Sequence, residues 1–440
     1  MKSYLLILQL LLAALWPLGI AAQVANDSLL ESGTLENIIQ YTLKHQPAVQ
    51  KSLLDESITK SQVNTRLADW YPQIGYNYNL QHNFQLQTAT FQGNVIQLGN
   101  RNTSLNQFAY TQNILNPTLV FAATTAKNVK NLSVQNTTAN KIAAVAAVSK
   151  AFYDVLLTQQ QIKVSNENIT RLERSVKDAR NQYQSGIVDK TDYQRATILL
   201  NNALALKKGN EEAAKAKLEY LKALMGYPAK ANLEVVYDSL QMEGSIGFEG
   251  TSAVDYNNRI EYLQLQTQKK LQQDNLKYTK LAFLPSVQGF AAYNGNYLND
   301  SFSDLYKNNY PSSYAGLTLA IPLVQGGKRW MNIRQAKWQV KKADWDITQV
   351  ENNINSQYAQ ALAAYNSSLA NYSAVKDNLQ LAQDVYNVIQ LQYRSGVKTY
   401  LEVLIAESDL RTSQINYYNA LYQVLSGKVD LQQSLGQIKY

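Results

Sequence analysis

The sequence predicts a mainly helical chain, duplicated internally, whose long antiparallel helical hairpins carry four membrane-type β-strands that close into a barrel only when copies assemble. Three observations carry that prediction. The second half repeats the first, heptad-like apolar seams recur at matching places in both halves, and between the helices the apolar period switches to two.

With a shift of 210, Gln182-Tyr183-Gln184-Ser185-Gly186 falls on Gln392-Tyr393-Arg394-Ser395-Gly396, Ala196 on Ala406, and Leu224-Met225-Gly226 on Ser434-Leu435-Gly436. Further upstream the shift becomes 213, and Trp70-Tyr71-Pro72 meets Phe283-Leu284-Pro285. The order in each half is helix, strand pair, very long helix, tight turn, helix. This divides the chain into residues 23–226, a connector 227–258 and residues 259–440.

Residues 1–22 carry Lys2, an apolar run from Tyr4 to Leu15, Pro17 and small residues ending in Ala21-Ala22. That is the pattern of an export signal cleaved near Ala22; the run is shorter than the ~18 residues of a membrane-spanning anchor, the alternative reading. No later segment is expected to match this run, so any membrane crossing falls to strands.

A first helix is predicted over Thr34–Asp69. Ile74, Tyr76, Tyr78, Leu80, His82, Phe84 and Leu86 then alternate with polar residues and Gly75, and a weaker alternation runs over Leu105–Leu115, giving a strand pair at about 73–115. One apolar, aromatic face and one polar face suit a strand with lipid on one side and water on the other. A half-buried strand of a soluble sandwich gives the same alternation. Gln87–Ser104 reads as a loop between the two.

Asn116-Pro117 offers an N-cap followed by proline at the first helical position, and opens a helix to Gln184. Its seam, Ile169, Leu172, Val176, Ala179 and Tyr183, alternates spacings of three and four, as a coiled coil does. At ~1.5 Å per residue such a helix is ~100 Å long, and the ~36-residue helices flanking it are each about half that, so two stack end to end beside it. The turn at 185–189 has Gly186 for a left-handed position, and Asp189 with Asp192 as N-cap and N3 of the helix Lys190–Met225. In the connector, Leu233–Tyr237 is a candidate short strand.

The second half repeats the plan. A helix precedes Pro285, a strand pair occupies about 286–323, and Asn299–Ser312 forms its loop. Pro322 marks a bulge or the end of the last strand. Gly326-Gly327 leads into the long helix Lys328–Arg394, whose seam is Leu379, Ala382, Tyr386, Ile389 and Tyr393; a turn at 395–399 follows, with Thr399 and Glu402 as N-cap and N3.

Composition narrows the function. The chain has no Cys and two His, His45 and His82, so thiol chemistry is excluded and His-based catalysis has few candidates. No enzyme activity, cofactor or metal is expected. The net charge is +8, but Lys and Arg are scattered, as in the doublets Lys207-Lys208 and Lys341-Lys342, and no nucleic-acid partner is expected. Gly326-Gly327-Lys328-Arg329 lacks the spacing of a phosphate-binding loop, so energy must come from a partner.

These residues resemble the TolC-like outer-membrane efflux protein family. The resemblance rests on the two Gln-Tyr-x-Ser-Gly turns, Glu402-Val403-Leu404 with Ala406, the junction Leu323-Val324-Gln325-Gly326-Gly327-Lys328 followed by Gln335-Ala336-Lys337, and the duplication itself. It implies a homotrimer in the outer membrane of a Gram-negative cell, with one twelve-stranded barrel in the lipid and an α-barrel tunnel in the periplasm. It implies a passive exit duct for efflux or type I secretion, docking tip to tip on a periplasmic adaptor coupled to an inner-membrane pump. A periplasmic coiled-coil scaffold without a pore is the competing reading.

The resemblance also assigns residues. Ser185, Gly186, Ser395 and Gly396 fall at the adaptor-docking tips. Asp192, Lys398 and Tyr393 fall on the polar links that close the entrance, and Glu402 on one tier of an acidic ring whose second position is Ile405 here. Each has a plainer reading: Asp192 and Glu402 stand at N3, where carboxylates cap helices, and Tyr393 lies on the seam.

Overall fold

The computed structural model describes residues 30, 32–187, 189–236, 239–248, 254–281 and 283–440; the expected signal segment, residues 1–22, lies outside them. Helices α1 (Leu35–His45) and α2 (Pro47–Ala68) lead to strand β1 (Gln73–His82), then β2 (Gln87–Phe91), β3 (Asn94–Leu98) and β4 (Asn102–Leu115). Helices α3 (Pro117–Gln184) and α4 (Lys190–Met225) form the first hairpin, and the short α5 (Ser239–Gly244) lies in the connector. The second repeat has α6 (Ile260–Leu281), β5 (Ser286–Asn299), β6 (Tyr310–Ala320), α7 (Lys328–Arg394) and α8 (Tyr400–Ser434).

The expected single helix over Thr34–Asp69 is two. Pro47 has no N–H and its ring disfavours helical torsions in the residue before it, so Gln46 is extended at φ −63°, ψ 125° and α2 restarts with proline at its first turn. The long helices agree with expectation at 68 and 67 residues, ~100 Å each. Asn116 Oδ1 accepts the Thr118 N–H at 2.9 Å, capping α3 as its sequence suggests.

The core sits at mid-height, where both hairpins meet the connector. Ile38, Val148, Phe152, Leu156, Leu221, Met225, Leu421 and Leu425 are buried there with Leu233, Val235 and Met242. The apolar stretch of α3 in this region corrects one expectation: an 18-residue window of α3 reaches mean hydropathy 1.3, and 61% of it is buried in this core. The predicted strand at Leu233–Tyr237 is reduced to an isolated bridge between Gly33 and Val235, with Tyr237 outside the described residues.

End-to-end stacking of the short helices is set by two glycines 210 apart. Gly226 caps α4 at φ +71°, and a Cβ on it would stand 2.5 Å from the His45 carbonyl oxygen, where α1 gives way to α2. Gly436, at φ +69°, would meet the Asn258 carbonyl oxygen at 2.2 Å, just ahead of α6. Both positions need glycine twice over, for the left-handed backbone and for the approach of a second backbone.

All four long strands form one antiparallel sheet in the order β1-β4-β5-β6. β1 ends at His82 rather than Leu86, and β6 at Ala320, two residues before Pro322. The loop expected at Gln87–Ser104 is a second small sheet, β2 against β3, turned by Gln92 (φ 49°) and Gly93 (φ 82°). Two successive positive φ angles make the hairpin turn whose twist matches its strands. In the loop after β5, Leu305 is buried and the Tyr306 hydroxyl bonds the Tyr78 hydroxyl at 2.7 Å.

The register puts Tyr76, Phe108 and Tyr293 in one row on one face, with Ile74, Leu317 and Leu319 on the same side. On the other face, Asn77, Gln107, Asn294 and Ser312 form a row of side-chain hydrogen bonds: Asn77 Nδ2 to Gln107 Oε1 at 3.3 Å, Gln107 Nε2 to Asn294 Oδ1 at 3.0 Å, and Asn294 Nδ2 to Ser312 Oγ at 3.2 Å. An exposed aromatic face backed by an amide-lined one is the alternation of faces that the sequence predicted.

The glycine junctions give a direct test. Gly226→Ala and Gly436→Ala should each cost ~1–3 kcal/mol through backbone strain and overlap. Gly209→Ala, inside α4 where an added Cβ meets nothing within 4 Å, should gain ~0.4–1 kcal/mol. Urea midpoints of the purified variants measure all three, and equal behaviour would refute the close-approach role.

Candidate functional site

The two hairpin tips are built alike, atom for atom. At the first, Gly186 has φ +71°, its N–H reaches Tyr183 O at 3.0 Å, and the Ile187 N–H reaches Gln182 O at 2.9 Å. At the second, Gly396 has φ +73°, with Gly396 N–H to Tyr393 O at 3.0 Å and Val397 N–H to Gln392 O at 2.9 Å. These are paired helix-ending bonds around a left-handed glycine. Ser185 and Ser395 donate their hydroxyls to Asn181 O and Leu391 O, at 2.9 and 3.1 Å. An added Cβ at either glycine meets nothing within 4 Å, so torsion alone requires glycine here.

The residue after each glycine escaped the sequence reading. Ile187 is 73% exposed and Val397 71%, although an apolar residue in this place ordinarily packs back on its own helix. The signal was present in the alignment of the halves: an apolar residue follows glycine in both. Leu401 and Ile405, also exposed on α8, extend the apolar end of the second tip, while among the described residues the first tip carries Ile187 alone.

After the turns the tips differ. At the second, Glu402 accepts the Thr399 N–H at 2.9 Å and the Thr399 hydroxyl at 3.0 Å, and its other oxygen takes Lys398 Nζ at 2.6 Å. The Lys398 bond, then the Thr399 N–H, pulls the Glu402 carboxyl down to about 2. Any stabilisation it brings is thus complete above about pH 4.5 and is lost as pH falls towards 2. At the first tip, Asp189 is N-cap by backbone geometry but its side chain makes no capping bond, a departure from the expected Asp189–Asp192 cap. Asp192 is one methylene shorter than Glu402, and the reciprocal cap needs that reach.

Asp192 lies within electrostatic range of the second hairpin. The Tyr400 hydroxyl at the start of α8 is pushed up to about 12, mainly by burial, and the charges of Glu407 and Asp192 add to the rise. Tyr393 is half-buried, its hydroxyl accepts Gln182 Nε2 at 3.2 Å from the other hairpin, and its ring lies 6.1 Å from that of Tyr400. Within one chain Lys398 therefore pairs with Glu402 of its own tip, while Tyr393 joins the two hairpins.

A second inter-hairpin link lies further from the tip. Arg171 Nε of α3 donates to Glu407 Oε1 of α8 at 3.0 Å, with side chains 22% and 4% exposed, and the guanidinium carbon lies 5.8 Å from the centre of the Tyr386 ring. Burial raises the Glu407 carboxyl and Arg171 opposes the rise. The two histidines offer no joint site: His45 stacks on Tyr41, and His82 bonds Asn102 at 2.6 Å in the strand sheet.

Breaking the inner link should be asymmetric. Arg171→Met strands a buried carboxylate and should cost about 3 kcal/mol, the low end for a buried pair because Arg171 keeps some solvent. Glu407→Gln should cost under ~1 kcal/mol. Because the Glu407 carboxyl is raised, it takes up a proton more readily in the folded protein, so the Arg171→Met loss should shrink between pH 7 and pH 5. Urea titrations at both pH values check this; equal costs at the two would refute it.

A model of the family described as outer membrane efflux protein matches residues 38–227 and 257–437, well over half of the chain. Outer membrane protein TolC of Escherichia coli (strain K12) is 20% identical over 426 residues, covering 94% of this chain and 84% of its own length. Among solved structures, the open-state MtrE outer membrane channel of Neisseria gonorrhoeae matches with a TM-score of 0.74 at 17% identity, covering 91% of this chain and 88% of that one. The CmeC outer membrane channel of Campylobacter jejuni matches at 0.74 and 14%, covering 94% and 90%. The matched repeats, the divided sheet and the helices beneath it agree: the chain belongs to the outer membrane efflux protein family, a channel family of the outer membrane whose helices extend into the periplasm.

Proposed function

We propose that the protein is the passive exit duct of a tripartite efflux or type I secretion system, working as a homotrimer. The observation that carries this is the four-stranded sheet with free edges on β1 and β6, apolar on one face and amide-lined on the other, set on ~100 Å helices. Three copies give twelve strands, enough for a water-filled barrel, and the helices below supply a periplasmic tunnel. A coiled-coil scaffold would have no use for a sheet whose aromatic face is exposed.

The tips dock on a periplasmic adaptor that links the duct to an inner-membrane pump. Ser185, Gly186, Ser395 and Gly396 shape the docking ends, and Ile187 and Val397 are apolar knobs for an adaptor groove. The entrance is closed by links between neighbouring hairpins through Asp192, Lys398 and Tyr393, with Glu402 setting the local charge. The Lys398 ammonium has three donors, so its bond to Glu402 leaves two for an Asp192 carboxylate of a neighbouring hairpin.

Asp192→Ala and Lys398→Ala should each raise single-channel conductance in planar bilayers, the double variant should add little to either, and Glu402→Ala should chiefly shift ion selectivity. One exposed pair is worth ~0–1 kcal/mol, so three symmetric copies bias a closed state by up to a few kcal/mol, about tenfold in population per 1.4 kcal/mol. Additive single effects, or no rise from either, would reject the shared link. A compact monomer by light scattering would reject the duct itself.

A further inference from the structure

Building on the assembly proposed above, we infer how a second copy docks: β6 of one copy pairs antiparallel with β1 of the next, staggered by four residues, so that Leu319 faces Ile74, Leu317 faces Tyr76 and Ser312 faces Gln81. The argument starts from the amide row. Asn77, Gln107, Asn294 and Ser312 are directly opposite partners across the three pairings within one chain, so they mark a path at right angles to the strands. Continued into the next copy with no stagger, the path would land on Asn77 again, and the strands would stand parallel to the barrel axis. Closed barrels do not do this; their strands tilt by ~35–45°, and the tilt appears as residue stagger.

Three constraints select the stagger. Side chains alternate between faces, and the row with Ile74, Tyr76 and Tyr78 shares its face with Ala315, Leu317 and Leu319. An odd stagger would turn one set into the lumen, so it must be even. At ~3.3 Å per residue and ~4.8 Å between strands, a stagger of two over four strands gives a tilt near 20°, four gives about 35° and six about 46°. That tilt does not depend on how many copies close the ring, because stagger and strand number grow together.

Strand length decides between four and six. With a stagger of four, Gln73–His82 faces Ala320–Pro311, and the whole of β1 is paired. With six, Gln73 and Ile74 would face residues 322 and 321, beyond the end of β6 and onto a proline that has no N–H to give. With four in the opposite direction, three residues of β1 would be paired. In hydrocarbon each unmet backbone group is costly, so the arrangement with the longest pairing is selected.

The chosen register also matches side chains. Ile74, Tyr76 and Tyr78 oppose Leu319, Leu317 and Ala315 on the outer face, where Leu80 meets Ser313, and Asn79 and Gln81 oppose Tyr314 and Ser312 on the inner face. Pro311 falls at the last pair, against His82. The same two edges continue below the sheet. α7, which follows β6, exposes Met331, Trp338 and Trp345 seven residues apart, and α2, which precedes β1, exposes Leu54, Ile58 and Thr65 at coiled-coil spacing. α2 and α3 also wall a groove of about 1160 Å³ lined by Leu54, Ile58, Leu119 and Phe121, room for the large side chains of a neighbouring α7.

The chain has no Cys, so engineered pairs read the register directly. Leu317→Cys is combined in turn with Ile74→Cys, Tyr76→Cys and Tyr78→Cys, and oxidised outer membranes are run on non-reducing gels. Directly opposed Cβ atoms lie within disulfide reach, while diagonal ones at ~7–8 Å do not. The Tyr76→Cys pair should give reducible interchain trimers at least fivefold more efficiently than the other two, and Ser312→Cys with Gln81→Cys should do so independently on the inner face. Strongest crosslinking at 74 or 78 would replace the stagger by two or six and overturn the inference. So would no crosslinking in a protein that light scattering shows to be trimeric. A monomer would overturn the assembly beneath it.

Discussion

An unpaired strand edge in hydrocarbon is the constraint on which the rest of the molecule depends. Backbone N–H and C=O groups left without partners in lipid cost several kcal/mol each, and this chain brings a sheet with two such edges, β1 and β6. In the assembly proposed above, closure by copies removes both. It also fixes what lies below, because the lateral order β1-β4-β5-β6 is repeated by the packed neighbours α2-α3, α3-α6 and α6-α7. The junctions between the layers are short, at residues 69–72, 116, 283–285 and 321–327, so the helices take their lateral order from the strands.

At mid-height the problem is one of length. A helix of 68 residues needs flanks as long as itself, and the chain supplies two shorter helices end to end. Helix ends leave carbonyls and N–H groups unmet, and stacking two ends buries them. Gly226 and Gly436 solve this by turning left-handed, closing the last turn on itself and admitting the next backbone within contact distance. At the second junction Arg259 adds a cation: its Nη1 bonds the Ser434 carbonyl at 2.6 Å, at the negative end of α8.

Much of this was legible in the residues. The seam spacing identifies the hairpins: Ile169 and Leu172 pack with Ala203, and Tyr386 with Ala406 and Leu410, while Tyr183, read as a seam position, is 42% exposed. The break at Pro47 was also written in the sequence, since residues before proline avoid the helix, yet the apolar period ran across it and hid it. The β2–β3 hairpin was hidden by composition. Its turn is Gln92-Gly93, and its short strands intersperse Phe91, Val95, Ile96 and Leu98 with Gln and Asn, so that no run is long enough to read as a strand until its partner is known. At the tips, glycine torsion followed from the duplicated motif, but side-chain partners did not, because Glu402 and Asp192 differ by one methylene and only the longer one closes its cap.

The two acidic residues of α8 show why a sequence position does not settle a charge's role. Glu402 and Glu407 are five apart on one helix, yet the first is held down by Lys398 and a free N–H while the second is raised by burial against Arg171. An exposed carboxylate with two donors exchanges partners cheaply, because water replaces whatever it loses. A buried one does not, since parting it from its guanidinium strands a charge in low dielectric. The tip is therefore the part of the hairpin pair whose contacts are cheapest to exchange, and the Arg171–Glu407 link, with the guanidinium beside the Tyr386 ring, is the part most costly to separate.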